Sequence, residues 1–185
     1  GPEQGNQWDI ERALAQALVA AGQNEEALAH FEMLRQHYAK KRDLARLQHA
    51  EDSIGDGRYA MVCFEEALVR DLLGQKEVAA NLWASAWDEL PRNSPQARIC
   101  ATALGRLAPA DLRVWSASQA SGHAAAANVV AALRTDDEMR RQIWFESARR
   151  LANPAIPWLY YHLTFGPLGT SHPATSRAEK QEDRP

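Results

Sequence analysis

Glycine and proline cut this 185-residue chain into stretches of about 13 to 16 residues, each repeating its apolar side chains at helical spacing. Asp9 to about Ala21 carries Leu14, Leu18 and Ala21 on one face and meets Gly22, suited to the left-handed turn that ends a helix. Asn24, followed by Glu25 and Glu26, reads as the cap of a second helix through Leu28, Phe31, Leu34 and Tyr38. A break near Ala39–Lys41 is expected, because the apolar face resumes in a new phase at Leu44 and Leu47. Gly55-Asp56-Gly57 reads as a turn, and further helices are expected over Arg58–Leu73, Glu77–Leu90, Ser94–Leu107, Pro109–Gly122 and Ala124–Arg134. Thr135-Asp136-Asp137-Glu138 has the form of a capping box opening a helix to Leu151, and Asn153-Pro154 opens a last one bearing Trp158 and Tyr161. No segment sustains the period-2 alternation of a strand, so the expected class is all-α.

Composition narrows this further. The chain is 45% hydrophobic with a mean hydropathy of -0.47, a combination explained by its 34 alanines, which favour helix and close helix approach. The formal net charge of -3 argues against a dedicated nucleic-acid binder. No apolar run reaches the length of a membrane span, and the polar start is unlike a signal peptide. Gly1-Pro2 has the form of a protease-cleavage scar, with residues 1–7 expected to be flexible. Beyond Gly166 the chain is Pro, Ser, Thr and charge, so residues 166–185 are expected to be disordered. Arginine outnumbers lysine 17 to 4, a bias resembling a GC-rich bacterial genome, and a cytoplasmic location is expected.

Gly22 and Gly55 stand 33 residues apart and Gly122 a further 67, about two such steps. Ala27/Phe31 and Ala60/Phe64 repeat a small residue followed at i+4 by an aromatic, suiting a close helix crossing and a plug toward the next pair. With Leu14, Ala15 and Leu18 before Gly22, and the string from Gly55 to Leu68, these residues resemble tetratricopeptide repeats. The resemblance covers about residues 8–134; Pro91 stands where the third unit should have its turn glycine, and the fourth lacks the aromatic. It implies an array of antiparallel helix pairs in a right-handed superhelical solenoid. The units would lie at about 8–40, 41–73, 74–107 and 108–134, with capping helices over 135–165, the whole forming a domain over 8–165.

The resemblance further implies a concave groove lined by the first helix of each unit. It would present Asp9, Arg12, Gln16 and Val19 from the first unit, Arg42, Ala45, Arg46, His49 and Asp52 from the second, and Leu112, Ser116 and Gln119 from the fourth. Arg12 with Gln16, and Arg42 with Arg46, resemble the pairs with which chaperone-binding members clamp a terminal carboxylate, though Gln16 replaces the expected asparagine. Trp158 and Tyr161 are read either as part of the C-terminal cap or as an exposed aromatic docking patch.

Catalytic constellations are sparse. Asp136-Asp137-Glu138 is better read as a helix cap than as a metal cluster, and His30, His37 and His49 lack ligand spacing. Asp52 to Gly57 resembles a calcium loop only superficially, because Ile54 stands where a ligand is needed. Cys63 and Cys100 read as core residues. The expectation is a non-catalytic scaffold or adaptor, without metal or cofactor, that binds another protein, a peptide or another domain of its own polypeptide, and neither nucleic acid nor membrane. The alternative is a C-terminal regulatory or ligand-sensing domain of a larger bacterial transcription regulator or signalling ATPase.

Overall fold

The computed structural model describes residues 2–47 and 57–165. Nine helices and no strand lie among the described residues, so the chain is all-α. They are α1 (Pro2–Ala20), α2 (Asn24–Leu47), α3 (Arg58–Leu72), α4 (Lys76–Glu89), α5 (Pro95–Ala103), α6 (Pro109–Ser116), α7 (Ser121–Arg134), α8 (Glu138–Ala155) and α9 (Pro157–Phe165). None is long and apolar enough to cross a membrane.

Local chemistry sets many of the boundaries. Gly22, Gly74 and Gly105 all take positive φ, and each follows a helix whose last carbonyls are closed by the same bond pair. After α3, the Gly74 amide donates to Asp71 and that of Gln75 to Arg70; after α5, Gly105 and Arg106 donate to Thr102 and Ala101. Ser94 caps α5 by accepting from the Ala97 amide, with Pro95 at the first helical position, as its sequence indicates. Asn153 is non-helical within α8, as the following proline requires.

Several expectations are corrected. α1 begins at Pro2 rather than Asp9, in a segment expected to be flexible. α2 runs unbroken from Asn24 to Leu47, so the expected break near Ala39–Lys41, and the unit boundary at 41, fall inside a helix. The apparent change of phase there is exposure, since Leu44 and Leu47 are solvent-facing while Ala45 is buried. Gly122 lies within α7, so among the described residues the glycines closing helix turns are Gly22, Gly74 and Gly105, and Gly122 is not one of them. Asp137, not Thr135, caps α8, accepting from the Arg140 amide. The turn at Gly55-Asp56 and the segment 166–185 lie outside the described residues.

The alanines sit where helices cross: Ala15, Ala27, Ala60, Ala67, Ala127 and Ala131 are all buried, as are Phe31 and Phe64. Cys63 and Cys100 are also buried, which pushes their thiols up to about 11 and about 12. Consecutive helices pack as α1 with α2, α3 with α4, and α7 with α8; α7 also contacts α3, α5 and α6. The last helix, α9, lies against both α8 and α1. An array whose units touch only their neighbours keeps its ends apart. Here the first and last described helices meet, so the last of the helices expected to cap an open end, α9, closes onto α1.

Candidate functional site

α3 is almost wholly internal, with Val62 to Val69 continuously buried, and it carries acids inside that run. Burying a carboxylate is costly unless it is paired and hydrogen-bonded. Each acid finds an arginine on another helix. Glu66 is fully buried and accepts from Arg35 Nε of α2 at 2.9 Å and from Arg70 Nε at 2.8 Å. Asp71 accepts from the Trp83 indole at 3.0 Å and from Arg134 of α7. Glu65 accepts from Arg12 Nε of α1 at 2.8 Å, from Arg12 Nη2, and from Gln16 Nε2 at 3.2 Å. The hydrogen bond to Glu65 raises the Arg12 pKa above its ordinary value, against the opposing effect of burial. Three carboxylates of one helix thereby orient it toward α1, α2, α4 and α7.

Beside the Arg12–Glu65 pair opens a pocket of about 330 Å³. Met61, Phe64 and Leu68 of α3 line it, with Gly122 and Ala126 of α7 and Ile156 and Trp158 at the α8–α9 junction. Arg12, Gln16 and Glu65 form one polar edge. The other holds Gln96 and His123, whose Nε2 atoms are 3.1 Å apart. Closure of α9 onto α1 places the α8–α9 junction over this pocket. The lining is mostly apolar, of a size that admits a large side chain or a small molecule.

The groove residues expected from the sequence separate. Arg12 and Gln16 line the pocket and do hold a carboxylate, but it is the protein's own Glu65. Val19, Leu112 and Ser116 are buried and cannot present themselves to a ligand. Ser116 instead donates to the Arg113 carbonyl and accepts from Asn128. Gln119 is half-buried and donates to Ser118, away from the pocket. Arg42 and Arg46 converge on Glu89 of α4 at 3.2 and 2.8 Å, and Arg42 also lies 4.2 Å from the Tyr59 ring centre and binds Asp43. They tie α2 to α4 rather than forming an open clamp. His49 and Asp52 lie outside the described residues.

Trp158 is buried and forms pocket wall, so it is not half of an exposed patch. Tyr161 is exposed and stacks on exposed Phe165, ring centres 6.0 Å apart. Sequence reasoning missed Glu65, Met61, Phe64, Gln96, His123 and Ala126 as site residues. The one signal was Glu65-Glu66 inside an apolar stretch, which announces buried ion pairs without naming their partners. No protein-family model, curated protein or solved structure matches the chain.

Proposed function

We propose that the protein is a non-catalytic binding module, taking a segment of another protein, or of another domain of its own polypeptide, by an apolar anchor in the pocket between α1, α3, α7 and the α8–α9 junction. One observation carries this reading: the pocket has apolar walls, while its charged rim is already internally paired, Arg12 and Gln16 with Glu65. Such a rim orients a ligand through its remaining donors and acceptors, with His123 held by Gln96 at the opposite edge.

In this reading α1/α2 and α3/α4 are tetratricopeptide-like pairs. The matching turns support it: Gly22-Gln23-Asn24-Glu25 and Gly74-Gln75-Lys76-Glu77 share positive-φ glycines and the same backbone closure.

The test is selection of a displayed random-peptide library on the wild-type chain and on Ala126→Phe, which fills the pocket. Peptides sharing an apolar anchor, retained by the wild type and lost by the folded variant, support the proposal. Peptides that bind both equally, or the absence of any enrichment, contradict it.

A further inference from the structure

A second cavity, of about 290 Å³, lies where the α4–α5 connection meets α5 and α6. Trp87 and Trp115 line it together with Arg92, Ser94 and Arg98. The Arg92 and Arg106 guanidinium carbons lie 4.1 and 4.9 Å from the Trp87 ring centre, and that of Arg98 lies 5.4 Å from Trp115. Arg92 is further fixed by donating from Nη1 to the Trp87 carbonyl at 2.7 Å. Arg106 directly follows the positive-φ Gly105, in the turn that closes α5.

The contrast with the rest of the molecule is in what these arginines lack. Arg12, Arg35, Arg42, Arg46, Arg70 and Arg134 each meet a carboxylate within the fold. None of Arg92, Arg98 and Arg106 forms an ion pair among the described residues, and all three are exposed. Leu90 to Ala120 holds four arginines and a single acid, Asp111, within a chain whose net charge is -3. Stacking on indole occupies a guanidinium's face and leaves in-plane N–H groups available to an anion. The N-terminus of α5, capped by Ser94, adds favourable potential at the same cavity.

We propose that this tryptophan-braced arginine cluster is a binding site for a small phosphomonoester. A tetrahedral dianion presents oxygens to several guanidiniums at once, whereas a single carboxylate presents two in one plane. The cavity is larger than a phosphate group alone, leaving room against the indoles for the carrier. The site is separate from the pocket between α1, α3 and α7, and this inference does not depend on the function proposed for that pocket.

The experiment is isothermal titration of the full chain with glycerol 3-phosphate, with inorganic phosphate and acetate as separate arms, at low and physiological salt. The expected result is saturable one-to-one binding of glycerol 3-phosphate that weakens with salt. Affinity should fall at least about tenfold in Arg98→Gln and in Arg92→Gln, each losing a charge-assisted contact at the cavity wall. Arg150→Gln on α8 should match wild type, and melting curves should show all three variants folded. Equal binding of inorganic phosphate would support the site as a reader of the phosphate group itself. Absence of saturable binding, equal binding of acetate, or unchanged affinity in both cavity variants would overturn the proposal.

Discussion

Arg134, the last residue of α7, grips Asp71 of α3 with both ends of its guanidinium, Nη1 to Oδ1 at 3.1 Å and Nη2 to Oδ2 at 2.6 Å. Its Nε donates to the Ala103 carbonyl of α5 at 2.9 Å, so one side chain ties three helices together. Asp71 is almost fully buried, with the Trp83 indole as its other side-chain donor. Arg134→Met would strip a buried carboxylate of its counter-ion, and the expected cost is about 3–5 kcal/mol. Urea denaturation reads it; an unchanged midpoint would show that the pair contributes nothing.

Gly74 and Gly122 have opposite reasons for being glycine. Gly74 sits at φ 76, where a side chain is strained whatever the space around it. Gly74→Ala should therefore destabilise by about 1 kcal/mol or more. Gly122 is helical, and a Cβ there would meet Ile156 Cγ1 and Cδ1 at 3.6 and 3.7 Å, ordinary contact distances. Gly122→Ala should leave stability unchanged or raise it by up to about 1 kcal/mol. Paired thermal melts separate the two, and equal losses would refute this assignment.

His162 of α9 is buried against the first helix, and its Nε2 has no hydrogen-bond partner. Burial lowers its pKa below the ordinary 6.5, with hydrogen bonding to the Val19 backbone acting the other way. The unfolded chain thus binds this proton more readily than the folded one. The stability involved is fully present above about pH 6.5 and is lost as pH falls through the folded value. Melting temperature should accordingly drop between about pH 7.5 and about pH 5. His162→Gln should show a shallower slope, the remainder belonging to His37, whose pKa is lowered by burial and by Lys41 and Lys40. An unaltered slope would place the acid sensitivity elsewhere.

Helix existence was legible because it is encoded locally. Ser94-Pro95, the glycines at 22 and 74 and the Asn153-Pro154 break each act within a few residues. Register was harder, because a glycine spacing does not say whether each glycine sits in a turn. Gly22 does, whereas Gly122 is in a helix, and the repeat drawn through both was misplaced. The buried α3 acids were visible, but their partners were not: Arg12 lies 53 residues from Glu65 and Arg134 lies 63 from Asp71. Closure of α9 onto α1 is wholly non-local, and it creates the pocket. Arg12 and Gln16 could therefore be picked out as carboxylate-binding residues, while the carboxylate they bind could not.

The chain's three methionines make the pocket directly observable. Met61 lines it, whereas exposed Met33 on α2 and Met139 on α8 lie elsewhere and serve as internal references. With ¹³C-labelled methionine methyls, titration of a selected peptide should shift the Met61 resonance and leave Met33 and Met139 in place. Shifts at Met33 or Met139 with Met61 unmoved would contradict the assignment of this pocket as the binding site.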